Sequence, residues 1–168
     1  VALALEAALG AAGIEVARWS RRDGLLDDDR APIVPDVAVL AVSDRAIGEV
    51  AEKLLEEGLV AHATVLLHTA GAVPPERAFR TVRGLVRGSG LLHPLRAIAG
   101  GPDDARFAGT VFGVAGDEAG LRVATTLVEK LGGRPLPLRA DGLARYHAAA
   151  VLASNHTLAL LDAAVGLL

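Results

Sequence analysis

Three histidines lie in or beside strongly apolar segments of the sequence, where an imidazole is an unusual residue. His68 closes an apolar run, His93 stands within Leu91–Leu95, and His147 begins an alanine-rich stretch. Because imidazole titrates near neutral pH, each could act as a general acid or base. Each could equally be a structural histidine that hydrogen-bonds to a backbone carbonyl.

The alanine-rich stretch adds two further polar residues at helical spacing. Ser154 and Asn155 follow His147 by seven and eight positions, which places all three on one face of a helix with about 3.6 residues per turn. Such a stripe is costly on an apolar helix unless its groups are paired or form a site. The alternative is a hydrogen-bonded helix contact within a dimer. The histidines lack the i, i+4 spacing and the nearby carboxylate of a helical zinc motif, so we predict no metal site.

Polar residues also follow the predicted strands, at the positions where open α/β sheets bind ligands. These residues are Ser20-Arg21-Arg22, Ser43-Asp44 and His68-Thr69. Serine with arginine suits the 2′-phosphate of NADP, because a guanidinium binds phosphate oxygens through two parallel hydrogen bonds. The alternative is that Arg21 and Arg22 are solvated turn residues.

The elements that position these residues alternate between helix and strand, which predicts a doubly wound α/β sheet. The last segment is a long apolar helix that is interrupted at Ser154-Asn155 and needs a partner for its surface. The pattern predicts helices over 1–9, 46–55, 74–82, 119–131 and 143–168, strands over 14–19, 37–42, 64–68, 85–95, 110–114 and 136–138, and a polar loop over 23–35.

Composition excludes several classes of protein. The 168 residues are 52% hydrophobic and 22% charged, which excludes intrinsic disorder, and they include no cysteine for a disulfide or a thiolate site. A net charge of −3 and an aromatic content of 3% make nucleic acid an unexpected partner. The sequence shows no uninterrupted apolar run of the length that spans a bilayer and no signal peptide, so we expect a soluble, cytoplasmic protein without a membrane partner. The chain contains no methionine, and we expect its natural start to be missing.

Four motifs, taken in order, resemble a known family. They occupy residues 39–44, 68–71, 92–95 and 146–155. This set is similar to the Rossmann-like NADP oxidoreductases that carry a C-terminal helical domain of unknown function, which are related in layout to pyrroline-carboxylate reductases, β-hydroxyacid dehydrogenases and deazaflavin-dependent NADP reductases. The resemblance implies a truncated NADP-binding domain over 1–140, lacking its first strand, and the first helix of an all-α domain over 141–168. It also implies a homodimer formed through the helical domain.

The resemblance also implies roles for individual residues. The adenosine 2′-phosphate would face Ser20 and Arg21 with Arg22 beside them, and the dinucleotide would run along Ser43 and Asp44. The nicotinamide and a small substrate would be lined by His68, His93, His147 and Asn155, with Thr69 next to the cofactor. Ala2 would take the last position of the G-x-G-x-x-G/A loop.

The sequence departs from the family's pattern at two places. The strand and most of the glycine-rich loop before the first helix are absent, so we expect this chain to bind a dinucleotide poorly or not at all. The catalytic lysine of β-hydroxyacid dehydrogenases is replaced by Val151, which leaves His147 or His93 as the candidate proton donor. The leading hypothesis is hydride transfer between NADP and a small carbonyl or imine, with NAD less favoured. The alternative is a non-catalytic dinucleotide-binding or structural dimerisation module.

Overall fold

The computed structural model describes residues 1–20, 24–25, 34–98 and 102–167. Its centre is a five-stranded sheet in which every strand neighbours the next one along the chain. The strands are β3 (Val37–Leu40), β4 (Val65–His68), β5 (Gly88–Pro94), β6 (Val111–Gly116) and β7 (Arg134–Pro137). Only the β5–β6 pair is antiparallel. The predicted mostly parallel α/β sheet is therefore confirmed.

Helices cover both faces of this sheet. One face carries α1 (Ala2–Ala11) and α4 (Glu118–Lys130), and the other carries α2 (Ile47–Glu56), the short α3 (Pro75–Ala78) and α5 (Leu143–Val151). Alternation along each strand separates the two cores, since successive side chains point to opposite faces. In β5, Leu92 packs with the first group, whereas Leu91 packs with Leu143 of α5. This second face also receives His68 and His93.

The segment before the main sheet differs from the prediction. The expected strand over 14–19 is reduced to β1 (Trp19–Ser20), which pairs antiparallel with β2 (Gly24–Leu25) within the predicted loop 23–35. Residues 14–18 have no neighbouring strand among the described residues, and Ile14 and Val16 instead pack against the core beneath α1. The remainder of the predicted loop, apart from residues 34 and 35, lies outside the described residues.

Several other elements are shorter than predicted, among them the strand expected over 85–95, which forms only over Gly88–Pro94. The strand expected over 37–42 ends at Leu40, and the helix expected over 74–82 forms only one turn before the chain enters successive turns. In this second segment, Phe79 and Val82 are buried in the core with α2. The apolar side chains at helical spacing are therefore buried by a series of turns instead of a helix.

The edge strand β7 contains two prolines, Pro135 and Pro137. Its hydrogen bonds to β6 are donated by the alternate residues, as shown by Arg134 N–H to Thr110 O and Leu138 N–H to Val114 O, both 2.8 Å. The prolines therefore remove no hydrogen bond between β6 and β7, although proline has no N–H to donate.

The C-terminal helical segment is continuous but not uniform. Between α5 and α6 (Thr157–Val165) lies a π-helical turn, Leu152–His156, at the interruption that the sequence predicted. The whole segment, Ala140–Val165, is long and apolar enough to cross a membrane by length and composition, with a mean hydropathy of 1.4. It is not an uninterrupted apolar run, because it contains Asp141, Arg145 and Asp162. Its first turns are docked on the sheet, since Leu143 is fully buried against Leu91 and Ala115.

Candidate active site

The candidate site lies where α5 crosses the carboxyl end of the parallel strands. His68 is the last residue of β4, and His93 is the second-last of β5. Across the antiparallel pair, His93 stands opposite Gly113 of β6. A side chain added at Gly113 would place its Cβ 2.7 Å from the hydroxyl of Tyr146. The glycine therefore leaves the space in which the tyrosine of α5 meets His93.

His93 and Tyr146 form a directly bonded pair. The phenolic oxygen lies 2.9 Å from Nδ1 of His93, and the two rings meet edge to face with centroids 5.5 Å apart. Both side chains are half-buried. This contact orients the imidazole and occupies one of its two nitrogens.

The other nitrogen of His93 faces His147 across Gly71. The two imidazoles are T-shaped, with centroids 5.6 Å apart. A Cβ added at Gly71 would lie 2.8 Å both from Nε2 of His93 and from Nδ1 of His147. That Nδ1 atom is buried and has no hydrogen-bond partner. Two ring nitrogens thus converge on one small space, and unsatisfied buried polar atoms are costly unless a ligand satisfies them.

His68 lies deeper than the other two histidines. Its side chain is fully buried, its ring lies 5.5 Å from that of Phe79, and its Nδ1 accepts a 3.2 Å hydrogen bond from the N–H of Ala70. Its Nε2 is buried without a partner. The bond to Ala70 fixes the loop that leads to Gly71, so His68 supports the site from beneath.

Burial keeps the imidazoles of His68 and His93 neutral at physiological pH. Desolvation lowers the pKa of His68 to about 4, with a further contribution from the nearby His93. Desolvation also lowers the pKa of His93 to about 4; His147 adds to this effect and the negative charge of Asp44 opposes it. The pKa of Tyr146 is raised, chiefly by burial, against a backbone hydrogen bond from Gly113. Neutral rings can donate and accept hydrogen bonds at the same time.

A cavity of about 420 Å³ lies beside this group, on the same face of the sheet. It falls within the size range of small-molecule sites. Leu138 lines the cavity, and its Cδ1 meets the same space above Gly113 as the Tyr146 hydroxyl does. The remaining lining residues are Pro75, Glu76, Ala115, Gly116, Arg139, Ala140 and Asp141. None of the residues predicted from the sequence lines this cavity.

The structure brings together part of the predicted site. His93 and His147 meet directly. His68 and Asp44 each lie close enough to His93 for an electrostatic interaction with it. The exposed Ser43 precedes the turn that contains Asp44, and Thr69 donates its backbone N–H to Leu40.

The other predicted residues make no contact with this group that the described part of the chain shows. Asn155 is exposed, and its Oδ1 accepts a 3.2 Å bond from Ser154 Oγ. Ala2 is exposed at the start of α1, and Ser20 lies in the hairpin strand β1. Arg21 and Arg22 lie outside the described residues.

The expectation that Asn155 shares a face with His147 stays a prediction. The π-helical turn over Leu152–His156 has more residues per turn than an α-helix, so the angle between the two positions is smaller than the roughly 80° of a regular α-helix. Eight residues of helix also separate them by about 12 Å along the axis. The described residues give no contact between Asn155 and the histidines.

Sequence reasoning missed three residues of the site: Gly71, Gly113 and Tyr146. The tyrosine stood in a motif that had been noticed, directly before His147. Its partner could be found only from the pairing of β5 with β6. Among the described residues, no three His, Cys, Asp or Glu side chains are arranged to hold a metal ion.

Gly71→Ala provides a test of the convergence of the two histidines. The added Cβ would lie 2.8 Å from both ring nitrogens, so both imidazoles must move. We expect the ¹⁵N signals of His93 and His147 to shift, while those of the exposed His62 stay unchanged. The free energy of unfolding should fall by about 1–2 kcal/mol, as for a modest overpacking. Unaltered His93 and His147 signals would contradict this geometry.

Comparison with known proteins shows which solved structures share the fold of this chain. The chain matches the crystal structure of the "putative NADP oxidoreductase BF3122" from Bacteroides fragilis with a TM-score of 0.71 and 18% identity, over 99% of this chain and 66% of that one. Protein TM1727 from Thermotoga maritima matches with a TM-score of 0.59 and 30% identity, over 75% of this chain and 46% of that one. Prephenate dehydrogenase from Aquifex aeolicus matches with a TM-score of 0.54 and 18% identity, over 80% and 50%.

The fold is Rossmann-like. Residues 110–168 of this Rossmann-like chain match the model of a domain of unknown function, DUF2520. The expected Rossmann-like architecture, continued by a helical region of unknown function, is therefore confirmed. The Rossmann-like chain spans about two thirds or less of the length of these structures. None of the curated protein sequences compared with it matches.

Proposed function

We propose that this chain is part of an NADP-dependent oxidoreductase that transfers a hydride between the nicotinamide and a small carbonyl or imine. The observation that carries the proposal is the convergence of His93, Tyr146 and His147 at the carboxyl edge of a Rossmann-like sheet. Ligands of open α/β sheets bind at this edge. Structural neighbours that are named as dehydrogenases and as an NADP oxidoreductase support the same class.

The residues present fit the reactive end of such a cofactor and its substrate. The space above Gly71 lacks a side chain, and the buried Nδ1 of His147 has no partner there. A polar atom bound in this space would satisfy that nitrogen. Bound nicotinamide would supply or receive the hydride, and a histidine of this chain would give or take the proton. His147 and His93 are the candidates, with His68 supporting the loop between them.

The preference for NADP rests on Ser20, Arg21 and Arg22. Serine and arginine would hold a 2′-phosphate, whereas an acidic residue would favour the ribose hydroxyl of NAD. Ser43, Asp44 and Thr69 would lie along the cofactor, and Asn155 would be a candidate for the substrate side.

We also propose that the protein is soluble and cytoplasmic, and that it forms a homodimer through its C-terminal helices. The exposed leucines 158, 160 and 161 of α6, together with Val165, form an apolar surface that needs cover. A membrane is a weaker explanation, because residues 143–147 are held on the sheet by the burial of Leu143 and by the bond between Tyr146 and His93.

The proposal is tested by titrating NADPH and NADH into this chain and into the complete product of its gene, with fluorescence as the measure of binding. We expect the complete protein to bind NADPH more tightly than NADH. Arg21→Ala should weaken NADPH binding by about tenfold, the value of one lost charged hydrogen bond. Lys130→Ala, at the exposed end of α4, is the matched control and should leave the affinity unchanged.

A second measurement separates catalysis from binding. In a complete protein that turns over a substrate, His147→Ala should lower kcat by 10²-fold or more, the usual contribution of a general acid or base, with little effect on NADPH affinity. Binding of NADPH without any turnover would instead identify a non-catalytic dinucleotide-binding module. Failure to bind either nucleotide would overturn the proposal.

A further inference from the structure

We propose that Tyr146 is a positioning residue that fixes the proton of His93 on Nε2, so that this histidine presents a neutral N–H donor to an uncharged oxygen held above Gly71. The inference deepens the proposed function, on which its substrate class rests, and assigns that substrate as a carbonyl compound or its alcohol. The tyrosine belongs to the motif around His147 but has no role in the function proposed so far.

The Tyr146 hydroxyl has one proton to donate. Its oxygen lies 2.9 Å from Nδ1 of His93, so one of these two atoms donates the proton between them. A phenol O–H is a stronger donor than the N–H of a neutral imidazole, and an unprotonated imidazole nitrogen is a stronger acceptor than a phenol oxygen. Donation from Tyr146 to Nδ1 is therefore the favoured direction.

The bond from Tyr146 determines which nitrogen of His93 carries the proton. A neutral imidazole carries one N–H, so an Nδ1 that accepts from Tyr146 requires the proton on Nε2. Nε2 is the atom that faces the space above Gly71, 2.8 Å from the position of an added Cβ. The hydrogen bond to the tyrosine therefore turns His93 into a fixed donor aimed at this space. Its edge-to-face contact with the phenol also holds the ring plane.

The Nε2–H donor of His93 suits an uncharged acceptor. The negative charge of Asp44 is close enough to His93 to act on it. Together with the burial of His68 and His93, this disfavours a carboxylate or phosphate oxygen at the same point. A carbonyl oxygen accepts from Nε2–H without bringing a charge, and a hydroxyl can in addition donate to the partnerless Nδ1 of His147.

These contacts give His93 and His147 different roles. His93 stabilises negative charge that develops on the oxygen, as preorganised donors do in other enzymes, and keeps its own proton. His147 is then the group that exchanges the proton with the oxygen. An imine nitrogen gains less from this arrangement, because it is protonated before reduction and would meet a second donor.

The experiment is long-range ¹H–¹⁵N NMR of the imidazoles at pH 7.5, with the exposed His62 and His156 as internal references. In the unmodified protein we expect Nε2 of His93 to carry the proton and Nδ1 to be an acceptor. In Tyr146→Phe, we expect the Nδ1 signal to move towards that of a non-hydrogen-bonded nitrogen. Gly113→Ala, which displaces the phenol but keeps its hydroxyl, should produce the same shift.

A proton found on Nδ1 of His93 in the unmodified protein would overturn the inference, as would an unchanged Nδ1 signal in Tyr146→Phe. In the complete protein, Tyr146→Phe should lower kcat about tenfold with KM for the nucleotide unchanged, the value of one hydrogen bond of about 1.4 kcal/mol. The NMR result does not depend on the nucleotide. A failure of NADPH binding with the expected tautomer would therefore count against the proposed function alone.

Discussion

Gly120→Ala should destabilise the protein by more than about 3 kcal/mol, or prevent folding, because the added carbon would overlap backbone atoms. An ideal Cβ at Gly120 falls on the carbonyl carbon and oxygen of Ser89 and lies 2.9 Å from the N–H nitrogen of Gly90. These atoms belong to the backbone of β5, which cannot rotate away as a side chain would. Relief requires α4 to move off β5, which would break the hydrogen bond that the Ser89 N–H donates to Asp117.

The matched control is the same substitution in another helix. Gly10→Ala lies in α1, where an added Cβ meets no atom within 4 Å. Alanine is the better helix former, so this variant should gain up to about 1 kcal/mol. Urea unfolding followed by circular dichroism measures both changes. Equal stability of the two variants would mean that α4 does not approach β5 as closely as described.

The free energy of unfolding should fall as the pH is lowered from 8 to 5, and His68 should account for much of the fall. Burial lowers the pKa of this imidazole from 6.5 to about 4, so the unfolded chain takes up a proton at a pH where the folded chain does not. The contribution of His68 to stability is therefore complete above pH 6.5 and is lost progressively down to about pH 4. By pH 5 the loss amounts to roughly 2 kcal/mol for His68 alone.

His68→Leu isolates this contribution, since leucine fills the buried space without an ionisable group. The variant should lose less stability than the unmodified protein between pH 8 and pH 5, whatever its stability at pH 8. His62→Ala removes an exposed imidazole and should retain the full pH dependence. His93 contributes in the same direction, so the variant keeps part of the slope. An unchanged slope in His68→Leu would show that His68 is not buried as a neutral group.

The sequence predicted the elements whose local pattern and tertiary burial agree. The run that ends at His68 reads as a strand buried on both faces, and β4 is buried at all four positions. The helix predicted over 119–131 ends before Gly132-Gly133, as α4 does at Lys130. The prediction failed for 14–18, where alternation was present but no described strand lies alongside to supply hydrogen bonds.

The site was less predictable than the fold because it depends on contacts between distant segments. Three histidines could be singled out by their apolar surroundings, but the spacing of His68 and His93 carries no information about their separation in space. The pairing of His93 with Gly113, which admits Tyr146, follows only from the antiparallel register of β5 and β6. The wider turn at Leu152–His156, which changes the direction of every later side chain, could be predicted from the sequence only as an interruption of the helix.

The two prolines of β7 determine which edge of the sheet can accept another strand. Because Arg134 and Leu138 donate inward to β6, the missing N–H groups of Pro135 and Pro137 are those that would have pointed outward. A further strand placed beside β7 would therefore find carbonyl acceptors but almost no donors. At the opposite edge, β3 contains no proline and keeps its donors. Any strand that extends this sheet, from the same polypeptide or from another molecule, must join it beside Val37–Leu40.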